Sequence, residues 1–161
     1  MRLLIASLLK ANSDQLLRQA YATAFGQECR IKTLHLTFIP PFTTSDPSII
    51  QNYLTTPLRP TSFTTGSPSI FSLRRQILYL PLFPTLPLES FYQSLFPQLR
   101  PLITFESPDF PPDTIPAFLP HLTLDYDFTF PLHWDIPALS VDLVQPQLLL
   151  EHQPGIWKHL S

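Results

Sequence analysis

Twenty prolines stand against three glycines in this chain, and the prolines are dense from Pro40 to Pro120. Proline fixes φ, removes a backbone donor and pushes the preceding residue toward extended geometry. Helices are therefore confined to short pieces, and strands joined by stiff loops are favoured. So few glycines also exclude most Gly-rich phosphate loops. Neither a Walker A motif nor a dinucleotide fingerprint is present.

The 161 residues suffice for one domain, residues 1–161, with a real core. With 44% hydrophobic and 14% charged residues, the composition is globular rather than disordered. No apolar run approaches bilayer-spanning length, so no membrane partner is expected. Residues 3–9 follow an arginine, as a short secretory core would. No small-x-small cleavage site follows and Lys10 ends the run, so we read a first strand. Cys29 is the only cysteine. An internal disulfide and a cysteine-built zinc site are excluded, and a reducing, cytoplasmic setting is expected.

The net charge of −2 is unevenly spread. Residues 1–100 hold nine Lys/Arg against four Asp/Glu, whereas residues 101–161 hold eight Asp/Glu and only Lys158. A broad basic face for duplex DNA is not expected. A small anionic ligand or one strand end is compatible with the positive first half.

Periodicity predicts a strand over residues 2–9. A helix follows, capped by Asn12 or Ser13, with Leu16, Leu17, Ala20, Tyr21, Ala24 and Phe25 on one face and Gly26 at its end. A strand over 31–39 should end at Pro40-Pro41. Asp46-Pro47-Ser48 starts a short helix. Residues 62–73 read as extended and 76–83 as an apolar strand. A third helix through Leu88, Phe91, Tyr92, Leu95 and Phe96 should stop near Pro97. A Pro-rich loop spans 107–120, and strands are predicted over 121–128 and 140–150. The order suggests an α+β fold of two weakly similar halves.

Two segments match each other: Leu34-His35-Leu36-Thr37-Phe38 and Pro120-His121-Leu122-Thr123-Leu124. In a strand, residues i and i+2 share a face. His35 and Thr37 would thus lie opposite Leu36, and His121 and Thr123 opposite Leu122. Phosphodiester hydrolysis requires a base to activate water and an acid to protonate the leaving oxygen. Imidazoles titrate near neutrality and can do both. Threonine hydroxyls can donate to non-bridging phosphate oxygens. Such chemistry requires no metal and no cofactor.

At these residues the chain resembles the 2H phosphoesterase superfamily, in the bacterial branch named for 2′-5′ RNA ligase and RNA 2′,3′-cyclic phosphodiesterase. The resemblance extends to Met1–Ala6 as an opening strand, to the proline before the second histidine, and to Leu150–Trp157 as a last strand with a Pro-Gly turn. It implies a bilobal α+β fold, two similar sheet-plus-helix lobes around a central groove, with His35, Thr37, His121 and Thr123 on the groove floor. The implied substrate is a 2′,3′-cyclic phosphate of a nucleotide or an RNA end. The chain departs from many members in carrying Ile39-Pro40 after the first motif, and Asp125 and Asp127 where a basic residue is common. Alternation sets both aspartates on the groove face.

Arg74 and Arg75 are candidates for a phosphate, Phe42 and Tyr53 for stacking a base, and Asp125 for contacting substrate. Lys32, His133, His152 and His159 are read as surface or structural. No His/Cys/Asp/Glu spacing suggests a metal site. The chain is expected to act as a monomer. The alternatives are a 2′-5′ ligase or phosphodiesterase on oligonucleotides, and a non-catalytic nucleotide- or RNA-binding module of the same fold.

Overall fold

The computed structural model describes residues 1–72, 75–106 and 118–160. In chain order these form β1 (Leu3–Leu8), α1 (Ala11–Phe25), β2 (His35–Thr43), α2 (Pro47–Asn52), β3 (Ser62–Thr65), β4 (Ser69–Ser72) and β5 (Gln76–Phe83). Then come α3 (Leu86–Leu99), a 3-10 turn (Arg100–Leu102), β6 (Thr104–Phe105), β7 (His121–Asp125), β8 (Ser140–Asp142), β9 (Gln147–Gln153) and β10 (Ile156–His159). The fold is mixed α/β, built on one ten-stranded sheet of order β10-β9-β1-β2-β7-β5-β3-β8, with β4 on β5 and β6 on β2. All pairings are antiparallel. No helix among the described residues is long and apolar enough to cross a membrane.

Local chemistry explains most boundaries. Gly26 closes α1 at φ 67°, where its N–H donates to the Ala22 carbonyl at 2.9 Å, a left-handed cap that glycine adopts without strain. The start of α1 differs from the sequence expectation. Lys10 occupies the cap position without a side-chain bond, and Asn12 lies inside the helix. The Ser13 hydroxyl instead accepts the Asp142 N–H at 2.8 Å, tying α1 to β8. Asp46 caps α2 as expected by accepting the Ser48 N–H at 3.0 Å.

Strand β2 also runs past Pro40-Pro41 to Thr43. The register of β1 on β2 shifts on each side of Ile5↔Ile39, so neither proline falls in a regular register pair. Their missing donors interrupt no regular ladder there. Helix α3 continues through Pro97 to Leu99, held by buried Phe96 and Leu99. The strand predicted over 121–128 ends at Asp125, and that predicted over 140–150 divides into β8 and β9. The loop reading for 107–117 lies outside the described residues.

An internal repeat underlies the sheet. β1-α1-β2 is matched by β5-α3-β7, which carries in addition the 3-10 turn and β6 between α3 and β7, and β2 meets β7 at the sheet's centre. On β2, Leu8↔His35, Ser7↔Leu36, Ala6↔Thr37 and Ile5↔Ile39 are paired. On β7, Pro81↔His121, Leu80↔Leu122, Tyr79↔Thr123 and Leu78↔Asp125 are paired. The two registers correspond pair by pair. Each skips one residue directly after its threonine, Phe38 or Leu124, which is the signature of a β-bulge.

The helices cross over between the repeats. α1 reaches β7 through Tyr21 and Asp125, while α3 reaches β2 through Phe91 and Phe38, whose ring centroids lie 4.8 Å apart. The buried residues of all three helices belong mainly to one cluster with Leu3, Ile5, Leu36, Phe38, Leu80 and Leu122. A small second cluster of Leu4, Ala6 and Leu149, with Leu8 and Trp157 against it, lies on the other face of β1. The His-Thr face of β2 and β7 therefore has no helix packed on it among the described residues.

Candidate active site

Leu36 pairs with Leu122 across the antiparallel β2–β7 seam, and both are fully buried on the helix side. Continuing that register sets His35 across from Thr123, and Thr37 across from His121. All four point away from Leu36 and Leu122, and all four are half-buried. The two histidines are thus diagonal partners, which in antiparallel pairs lie roughly 7–8 Å apart. The seam places the predicted catalytic residues together, one pair from each repeat.

The imidazoles are held in the same way. Nδ1 of His35 lies 2.7 Å from the Thr33 carbonyl oxygen, and Nδ1 of His121 lies 2.6 Å from the Leu119 carbonyl oxygen. A carbonyl oxygen only accepts, so Nδ1 must carry the hydrogen on each ring. Each neutral ring then keeps its lone pair on Nε2, and no hydrogen bond from either Nε2 is found among the described residues. Burial pushes the pKa of His35 below its ordinary value, the Thr33 carbonyl opposes this, and the charge of His121 lowers it further. Burial lowers His121 too, against the Leu119 carbonyl.

The surroundings of the two histidines differ. Leu8 flanks His35, and Ala6 flanks Thr37. Beside His121 stand two aromatic rings, Phe71 of β4 at 5.2 Å and Tyr79 of β5 at 5.3 Å between centroids, each at a steep angle to the imidazole. The two rings stack on each other at 3.9 Å and 12°. Sequence reasoning did not single them out. Their proximity depends on the Ser69↔Tyr79 register, which joins residues from two different predicted strands.

Three expected substrate contacts are corrected or lie elsewhere. Asp125 does not lie on the His-Thr face. The bulge at Leu124 puts two successive residues on the core side, so Asp125 is only 7% exposed and sits opposite buried Leu78. There it accepts the Tyr21 hydroxyl at 2.8 Å and the Asp127 N–H at 3.1 Å. Phe42 is fully buried in the core and presents no face to a base, because the register shifts in β2 keep it on the helix side. Arg75 is exposed and lies 3.8 Å from Asp127. Arg74 lies outside the described residues. Tyr53 packs half-buried against the core, and Lys32 is exposed.

Among the described residues, no three His, Cys, Asp or Glu side chains gather as metal ligands. An ion cluster marks the far end of β1, where Arg2 donates to Glu106 at 2.7 Å and to Glu151 at 2.6 Å, over the Trp157 ring. Chemically, the seam offers two basic nitrogens, two hydroxyl donors and an aromatic flank. Compared with known proteins, the chain matches no family model and no curated protein.

Proposed function

We propose that this chain is a metal-independent phosphodiesterase of the 2H type that opens 2′,3′-cyclic phosphates of nucleotides or RNA ends. The observation that carries the reading is the matched pair of histidines. Each Nδ1 is tied to the carbonyl two residues before it, and neither Nε2 has a hydrogen-bond partner among the described residues, on one face of adjacent strands. Random polar positions on a sheet have no reason to repeat a tautomer, a bulge and a neighbouring threonine together.

A phosphate seated between the rings would meet an acid on one side and a base on the other. One neutral Nε2 takes a proton from water, whose oxygen bonds to phosphorus. The other imidazole, protonated, gives its proton to the ribose oxygen as that P–O bond breaks. The product is a phosphomonoester with a free vicinal hydroxyl. Thr37 and Thr123 donate to the non-bridging oxygens as charge grows there. On this reading the two halves of the sheet correspond to the two 2H lobes, with the seam as the groove floor. A reducing cytoplasmic setting suits the single thiol of Cys29.

The test is hydrolysis of the four nucleoside 2′,3′-cyclic monophosphates with EDTA present, followed by ³¹P NMR. Conversion to a monoester that persists under chelation supports the proposal. Absence of turnover on these substrates and on cyclic-phosphate RNA ends would sink it.

A further inference from the structure

We infer that the Phe71–Tyr79 stack is the nucleobase platform of this site, so that the substrate is selected as a nucleoside and not as a bare cyclic phosphate. This rests on the function proposed above and names the part of the substrate that the seam itself does not hold.

The argument begins with the rings' own geometry. Their centroids are 3.9 Å apart and nearly parallel, and the His121 centroid is 5.2 and 5.3 Å from the two. A point equidistant from both centroids lies beside the seam between the rings, not above either face. The positive ring edges therefore meet His121, and the imidazole covers neither outer face of the stack. An imidazolium gains no cation–π contact in this arrangement, so the stack is not there to charge His121.

The stack steadies the β4–β5 pairing but is no part of the helix-side core. Phe71 and Tyr79 are half-buried, and neither belongs to the buried cluster that the helices build. Tyr79 stands directly across from Thr123, and its counterpart in the first repeat is Ala6, across from Thr37. The repeat thus places a flat aromatic surface beside His121, where His35 has the aliphatic Leu8 beside it and Ala6 across from its threonine. A cyclic phosphate spanning the two histidines has a single ribose and a single base. One aromatic flank accommodates that base and fixes which way round the substrate lies. Stacking on aromatic rings is a general way in which proteins hold unpaired bases.

The test compares wild type with Phe71→Leu, Tyr79→Leu and the conservative Tyr79→Phe, on cytidine 2′,3′-cyclic phosphate and on ethylene glycol cyclic phosphate, which has no base. For the nucleotide, each leucine variant should raise KM roughly 5- to 150-fold, the range that stacking one base supplies, with kcat within a few fold. Tyr79→Phe should restore KM, and the base-free ester should be handled alike by all four proteins. Equal losses on both substrates, or an unchanged KM for the nucleotide, would overturn the inference. Calorimetry with 3′-CMP separates this from the proposed chemistry. Ring-dependent binding without turnover keeps the platform and removes the hydrolase. Turnover indifferent to the rings keeps the hydrolase and removes the platform.

Discussion

Replacing Tyr21 by phenylalanine removes one oxygen from the interior and nothing else. In the native protein that oxygen donates to Asp125 at 2.8 Å and accepts from the Gln27 amide at 3.2 Å. The ring itself is fully buried in α1 and packs 5.0 Å from Phe25, so Tyr21→Phe leaves no cavity of consequence. The cost is that of a hydrogen bond to a carboxylate that is 7% exposed and whose remaining donor, among the described residues, is the Asp127 N–H. Bonds to charged groups are worth about 1.5–3 kcal/mol, so a loss of about 2 kcal/mol is expected. For a domain of this size that lowers Tm by roughly 4–8 °C. Urea unfolding should show a lower midpoint with an unchanged slope. Asp125→Asn should also destabilise, because an amide has one acceptor oxygen where the carboxylate uses two, for the phenol and for the Asp127 N–H, and the two changes together should be clearly non-additive. If Tyr21→Phe changed stability by less than about 0.5 kcal/mol while Asp125→Asn altered KM, Asp125 would belong to the substrate face after all. The assigned bulge would then be wrong.

The remaining expectations concern pH, the seam and the cap. Burial lowers both histidine pKa values, so the form with one neutral and one protonated ring is most populated below the ordinary histidine range. The kcat/KM profile should be a bell centred on the acidic side of 6.5, falling at low pH as the base protonates and at high pH as the acid loses its proton; a plateau up to pH 9 would contradict this. Leu36→Ala removes a fully buried side chain at the β2–β7 pairing and should cost about 2–5 kcal/mol by denaturant unfolding. Gly26→Ala meets no atom within 4 Å of the new Cβ, so it should cost only the strain of φ 67°, about 1 kcal/mol.

What the sequence made legible was periodic. His35/Thr37 and His121/Thr123 alternate against leucines, and that pattern set each pair on one face of its own strand, while their common face depends on the β2–β7 pairing. Gly26 and Asp46 were readable because a helix end needs a left-handed residue or a side-chain acceptor. What escaped was whatever interrupts the period. Asp125 follows Thr123 by two residues and should share its face. A bulge after Thr123 reverses that, and no local residue announces it. Pro40-Pro41 look like a strand end, yet they sit where the β1–β2 register already shifts. Phe71 and Tyr79 meet only through a long-range pairing, which depends on the whole sheet and not on either segment.

The central claim is that His35 and His121 act as one unit on one phosphate. It is tested most directly by a double-mutant cycle on cytidine 2′,3′-cyclic phosphate hydrolysis with His35→Ala, His121→Ala and both together. Each single change should lower kcat/KM by about 10²–10⁴, and the double variant should lose scarcely more than either single one, because removing either ring already disables the shared transition state. A single variant that retains wild-type turnover, or losses that simply multiply, would contradict the two-histidine mechanism.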